Sequence, residues 1–103
     1  MNLVGKLVRD NIPDIIRADN ETPVFHICEG DEYTEALENK LNEEVTEYEH
    51  SKELVELADI LEVVEALAEN QGSTFDEVLK LKAEKQKKNG AFDKRYWLER
   101  IVV

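Results

Sequence analysis

Two runs of apolar residues at helical spacing, separated by a very short connection, constrain the fold of this chain more than any other feature. In residues 31–49 apolar side chains recur every three or four positions, at Tyr33, Ala36, Leu37, Leu41, Val45 and Tyr48. A second run, within residues 54–70, follows a short connection at His50, Ser51 and Lys52, and Ser51 can cap the second helix. Because helices joined this tightly pack side by side, the pattern predicts an antiparallel helical hairpin.

The sequence of the N-terminal third predicts a short helix and a short extended segment. Residues 1–16 mix apolar and charged residues and contain Pro13, which suits the first turn of a short helix because proline has no amide hydrogen to donate there. Asn11 is the predicted cap of this helix. Residues 23–28 have the β-branched and aromatic content of a short extended segment. Asp31 is then the predicted cap of the first long helix.

The C-terminal third predicts another helix. Ser73 or Thr74 can cap it, and Asn89 followed by Gly90 ends it. Its predicted buried side consists of Val78, Leu79, Leu81 and Ala83. A compact cluster of apolar side chains is predicted after it, from Phe92, Tyr96, Trp97 and Leu98.

The length predicts a single domain over residues 1–103, and the helical patterns make it an all-α bundle. Oligomerisation is expected to complete the bundle, because a chain this short buries a modest core. The net charge of −11 argues against nucleic acid as a partner. No apolar run reaches the roughly 20 residues that span a bilayer, so no membrane partner is expected. With one cysteine, Cys28, and no signal-like N-terminus, the expected location is cytoplasmic.

Five carboxylates fall at helical spacing on the two hairpin helices: Glu43, Glu44, Glu47, Glu56 and Asp59. Residues three or four apart share a helix face, so the hairpin can bring the two groups together. Asp59 also lies within a wide apolar band, where a charged group is usually paired or metal-bound. The pattern predicts a site for Mg²⁺, a cation that prefers oxygen ligands, over the alternative of a solvated acidic face.

Charge is distributed unevenly along the chain. Residues 29–69 contain 15 acidic and 2 basic residues, whereas residues 80–100 contain 8 basic and 3 acidic residues. Two interpretations follow: complementary packing between helices, or a phosphate-binding wall facing a metal-binding wall. His26 and His50 have no partner at ligand spacing, and no cluster of Cys and His suits zinc.

The acidic segments EEVTE, residues 43–47, and ELAD, residues 56–59, resemble the paired motifs of the all-α nucleoside triphosphate pyrophosphohydrolases. This superfamily includes MazG-like proteins and phosphoribosyl-ATP pyrophosphohydrolase. The opening KLVRDNIP, residues 6–13, resembles a MazG-like subgroup, and KNGAF, residues 88–92, resembles a basic segment near the end of such proteins. Only eight residues separate Glu47 from Glu56, a connection shorter than is usual in the family.

The resemblance implies Mg²⁺-dependent hydrolysis of a nucleoside triphosphate between the α and β phosphates, with non-standard nucleotides as one class of substrate, by a homodimer or higher oligomer. By this resemblance the metal ligands are Glu44, Glu47, Glu56 and Asp59. Glu43 assists a second ion or accepts a proton from water, and the phosphate-binding candidates are Arg9, Lys85, Lys88 and Arg95. The alternatives are phosphoribosyl-ATP pyrophosphohydrolase and a non-catalytic helical interaction module.

Overall fold

The chain is all-helical in the computed structural model, which describes residues 3–103. Met1 and Asn2, part of the predicted domain, lie outside these residues. The described part contains no strand, and its helices are α1 (Ile12–Ala18), α2 (Gly30–Ser51), α3 (Leu54–Asn70) and α4 (Phe75–Asn89). None of these helices has both the length and the apolar character needed to cross a membrane. The predicted all-α class is therefore confirmed.

Helices α2 and α3 form the predicted antiparallel hairpin. Helix α2 ends where Lys52 adopts a left-handed conformation, with φ of 59°, and its amide nitrogen donates to the Tyr48 carbonyl oxygen over 2.8 Å. Two residues later α3 begins and runs back along α2. At the far end, the Asn70 side-chain amide donates to the Thr34 hydroxyl oxygen over 2.9 Å, which joins the end of α3 to the start of α2.

Two predicted helix caps are wrong, and a third is confirmed. The residues that precede α2 and α3 are Glu29 and Glu53, in place of Asp31 and Ser51. Ser51 remains in the last turn of α2 because the chain reverses only at Lys52, and its hydroxyl accepts a hydrogen bond from the Glu53 amide over 3.2 Å. Thr74 does cap α4, since its hydroxyl accepts from the Glu77 amide over 3.1 Å.

The N-terminal region is helical where the sequence predicts it. Asn11 precedes α1, although its side chain makes no capping hydrogen bond, and Pro13 lies in the first turn. Residues 21–29 form neither helix nor strand, so the predicted extended segment at 23–28 pairs with no sheet in the part of the chain described. This region leads directly into α2.

The apolar residues of the C-terminal third do not form the predicted core. Helix α4 borders the end of α3 in a groove lined by residues that include Val64, Leu67 and Val78. Farther along α4 the expected buried positions Leu79, Leu81 and Ala83 are exposed. The predicted cluster of Phe92, Tyr96, Trp97 and Leu98 is also exposed, with Trp97 at 88%. Both predictions fail for the isolated chain because no other element within residues 3–103 covers this region.

The buried core of the described residues is small. It consists of Leu37, Val63 and Ala68, of which Leu37 is 2% exposed. The chain is elongated, with principal extents of 64 × 32 × 21 Å and a radius of gyration of 18.1 Å, whereas a compact domain of this length has about 13 Å. Exposed apolar side chains also line α3, at Leu54, Val55, Leu57 and Leu61. A single chain therefore leaves much apolar surface in water.

Candidate functional site

Three of the five predicted carboxylates converge from the two hairpin helices. Glu44 lies two turns before the end of α2, and Glu56 and Asp59 lie in the first two turns of α3. The reversal at Lys52 places these segments side by side, and one carboxylate oxygen from each residue lies within 4.8 Å of the others. All three residues are partly buried. The hairpin thus concentrates negative charge where solvent screens it incompletely.

The pKa of Glu56 is raised within this crowded group of carboxylates. Desolvation raises the pKa of the Glu56 carboxyl, and the neighbouring charges of Asp59, Glu47 and Glu44 raise it further. A hydrogen bond from the Ser51 hydroxyl, 3.4 Å from Glu56 Oε1, acts in the opposite direction. Glu47 is itself exposed and is not one of the three residues that converge, but its charge reaches Glu56. A cation at this position would relieve the repulsion.

Glu43 pairs with two lysines and does not belong to the three carboxylates that converge. The Lys6 ammonium donates to Glu43 Oε1 over 2.7 Å, and Lys40 Nζ lies 3.4 Å from the same oxygen. Partial burial alone would raise the pKa of Glu43, but the hydrogen bond from Lys6 and the charge of Lys40 lower it overall. The carboxylate is therefore held in its ionised form between two lysines.

Arg9 connects the N-terminal segment to the carboxylates. Its Nη2 donates to Asp59 Oδ1 over 2.8 Å, and its Nη1 lies 3.7 Å from Glu62 Oε1. The guanidinium remains partly exposed, at 55% of the side chain. The structure thus brings this predicted phosphate-binding residue directly to a predicted metal ligand.

An open cleft of about 740 Å³ lies beside these residues, between the N-terminal segment and the hairpin. Its polar lining includes Arg9, Lys40, Glu44 and Asp59, and its apolar lining includes Leu7, Ile12, Tyr33 and Val63. Small-molecule sites commonly enclose about 300 to 1,000 Å³ and combine apolar walls with a few polar groups. The cleft has the size and the mixed lining for a ligand as large as a nucleotide.

The other predicted phosphate-binding residues lie elsewhere. Lys85 and Lys88 are exposed on the second half of α4, and Arg95 follows it, also exposed. None of the three lines the cleft. None forms an ion pair with any described residue, either. Within one chain, Arg9 alone of the four candidates lies at the carboxylates.

Lys40 is a site residue that the sequence prediction missed. Its Nζ lies 3.5 Å from Glu44 Oε1 as well as near Glu43, and its side chain is only 16% exposed. Helical spacing provides a signal for it, since Lys40 precedes Glu43 by three positions and Glu44 by four. Lys6 and Glu62 were also missed, and both are brought in by contacts between distant segments.

The histidine predictions require correction. His26 does have a partner, because its Nε2 lies 3.0 Å from both carboxylate oxygens of Glu32. Cys28 is partly exposed and lies in the same cluster as His26 and Glu32. His50 Nδ1 lies 2.9 Å from the carbonyl oxygen of Thr46 in the same helix. Residue spacing did not predict the cluster of His26, Cys28 and Glu32, because these residues do not share a helix face.

Comparison with known proteins assigns no family to the chain. It matches no protein-family model. No solved structure matches it either. It is 52% identical over 44 residues to an uncharacterized protein of Mycolicibacterium smegmatis, an alignment that covers 43% of this chain and 45% of that protein. The chain thus aligns with less than half of this relative.

Proposed function

We propose that this protein is a Mg²⁺-dependent nucleoside triphosphate pyrophosphohydrolase, cleaving its substrate to the monophosphate and pyrophosphate. One observation carries the proposal: Glu44 and the pair Glu56 and Asp59, which belong to the two family-like acidic motifs, converge across the hairpin beside a cleft of nucleotide size. Acidic groups are common in proteins without an ion. The support therefore comes from the convergence and the motifs taken together.

In the proposed site the three converging carboxylates hold Mg²⁺, with Glu47 close enough to add charge. Bound Mg²⁺ neutralises phosphate charge and lowers the pKa of a bound water. Arg9 is placed to bind a phosphate, because a guanidinium can donate two parallel hydrogen bonds to one phosphate group. Lys40, which lines the same cleft, supplies a second positively charged side chain.

The contacts of Glu43 favour a positioning role over the predicted role as a base. A general base is most effective when its pKa lies near the working pH, and two lysines lower the pKa of Glu43. The ion pair with Lys6 attaches the N-terminal segment to α2, and that segment carries Arg9. Full turnover in Glu43→Gln would exclude the base. A raised KM with unchanged kcat would indicate positioning.

The decisive experiment measures pyrophosphate release with and without Mg²⁺ from canonical, oxidised and deaminated nucleoside triphosphates and from phosphoribosyl-ATP. Glu44→Gln and Asp59→Asn are the test variants, and Glu38→Gln, at an exposed position of α2, is the matched control. We expect Mg²⁺-dependent release that both test variants lose and the control retains. Preference for phosphoribosyl-ATP would favour the related hydrolase, and no release from any nucleotide would refute the proposal.

Self-association is the second part of the proposal. The three-residue core and the exposed apolar side chains of α3 and the C-terminal residues support a homodimer or higher oligomer in which a partner covers these surfaces. They also favour the alternative of a non-catalytic interaction module, whose partner is a different protein. Light scattering distinguishes the two, since a monomeric mass for the active protein would contradict self-association.

A further inference from the structure

A second cluster of potential metal ligands lies where the chain enters α2. His26, Cys28 and Glu32 each offer one donor atom, and the three atoms lie within 4.8 Å of one another. They supply three different donor types: an imidazole nitrogen, a sulfur and a carboxylate oxygen. None of these residues lines the cleft described above. The cluster is therefore separate from the acidic group on the hairpin.

The local backbone explains how the cluster forms. Glu29 is extended, with φ of −138° and ψ of 155°, and Gly30 then adopts a left-handed conformation with φ of 57° as α2 starts. A residue other than glycine would be strained at this φ. The turn brings Glu32, in the first helical turn, back to the two side chains that precede it. His26 Nε2 consequently lies 3.0 Å from both Glu32 oxygens.

We propose that His26, Cys28 and Glu32 form a Zn²⁺ site with three protein ligands and a fourth position open to solvent. Nitrogen and sulfur donors favour Zn²⁺ over Mg²⁺, which prefers oxygen ligands only. A thiolate, a carboxylate and a neutral imidazole together neutralise the two positive charges of the ion. Three protein ligands with one open position is also the arrangement of catalytic rather than structural zinc sites.

The metal-free geometry requires only small movements to become a coordination sphere. Zinc bonds of about 2.0 to 2.3 Å place neighbouring ligand atoms roughly 3.3 to 3.8 Å apart in a tetrahedron. The His26 to Glu32 distance is already 3.0 Å. Their side chains are largely exposed. The sulfur of Cys28 lies within 4.8 Å of the ligand atoms of these two residues.

The test uses the full-length protein and two metal probes. Co²⁺ is added first, because a cobalt ion bound by a thiolate gives a charge-transfer band that ions bound only by nitrogen or oxygen lack. Zn²⁺ is then titrated while the reaction of the thiol with a disulfide reagent is followed. Cys28 is the only cysteine, so both signals report this site alone. The test variants are Cys28→Ser, His26→Gln and Glu32→Gln.

Three matched variants serve as controls. His50→Gln removes the other histidine, Glu35→Gln changes an exposed carboxylate one turn farther along α2, and Glu44→Gln disables the acidic group on the hairpin. We expect one Zn²⁺ per chain, a cobalt-thiolate band and slower thiol modification, all retained in the controls. Because losing even an outer partner costs about 10- to 100-fold in metal affinity, His26→Gln and Glu32→Gln should weaken binding by at least about 100-fold.

Two results would overturn the site. One is the absence of a cobalt-thiolate band at saturating Co²⁺, and the other is Zn²⁺ binding that Cys28→Ser leaves unchanged. The inference does not depend on the proposed pyrophosphohydrolase, since none of these measurements uses a nucleotide. Glu44→Gln distinguishes the two further: it should abolish pyrophosphate release and leave the cobalt-thiolate band intact.

Discussion

Arg9 Nη2 and Asp59 Oδ1 lie 2.8 Å apart, although fifty positions separate the two residues in the chain. The contact places a strongly basic side chain on one of the three carboxylates that converge between α2 and α3. Both side chains retain solvent access at the edge of the cleft. A phosphate that enters the cleft can therefore compete with Asp59 for the guanidinium.

We expect Arg9→Ala to impair substrate binding more than folding. A partly exposed ion pair contributes about 0 to 1 kcal/mol, so the free energy of unfolding should fall by no more than that. Hydrogen bonds to charged groups contribute about 1.5 to 3 kcal/mol, so KM should rise roughly tenfold to a hundredfold. Arg17→Ala is the control, because Arg17 pairs at 2.7 Å with Asp14 and lies outside the cleft lining. Equal KM values for the two variants would contradict the role of Arg9.

Lys40→Met should separate metal binding from nucleotide binding. Without the ammonium group 3.5 Å from Glu44, Mg²⁺ alone should bind up to about fivefold more tightly, since one competing cation is gone. The nucleotide should bind more weakly, because the cleft has lost a positive charge. Titration calorimetry with each ligand checks both effects, with Lys82→Met on α4 as control. Weaker Mg²⁺ binding in Lys40→Met would count against this arrangement.

Glu56 should make stability depend on pH when divalent cations are removed by a chelator. Because desolvation and the neighbouring Asp59 raise the pKa of Glu56 above its ordinary value of 4.5, the folded state holds more protons than the unfolded state above pH 4.5. The contribution of Glu56 to stability is therefore greatest below pH 4.5 and falls as pH rises through the raised pKa.

Thermal unfolding across this pH range checks the prediction. Glu56→Gln should flatten the decline, and the exposed Glu35→Gln should not. The lowered pKa of Glu43 acts in a separate window, since it removes stability only as pH falls below 4.5. A steeper decline above pH 4.5 in Glu56→Gln would show that the sign is wrong.

Leu37→Ala should lower the free energy of unfolding strongly, because Leu37 belongs to the small core of the single chain. Leu37 is 2% exposed, and truncation of a buried leucine costs about 2 to 5 kcal/mol. Leu54→Ala is the comparison, because Leu54 is 81% exposed and its truncation should cost less than about 1 kcal/mol in the isolated chain. Chemical denaturation at low protein concentration measures both. A large loss at Leu54 that grows with concentration would place this residue in an interface between copies.

The amino-acid sequence alone was sufficient to predict where the helices lie. The apolar spacing predicted α2 and α3, and Thr74 and Gly90 mark the ends of α4, because helical periodicity and capping are local properties. The short connection around Lys52 also predicted the hairpin, because helices joined this tightly pack side by side. The observed starts of α2 and α3 differ by one or two residues from the predicted ones, because Glu29 and Glu53 precede these helices in place of Asp31 and Ser51.

Only the tertiary structure decided which charged residues meet. All five acidic residues had helical spacing, yet three converge while Glu43 pairs with Lys6, because rotation of each helix about its axis depends on packing across the hairpin. Arg9 reaches Asp59 through a fold-back of the N-terminal segment, and His26 reaches Glu32 through the turn at Gly30. Such contacts depend on backbone geometry between distant or irregular segments, which residue spacing does not encode.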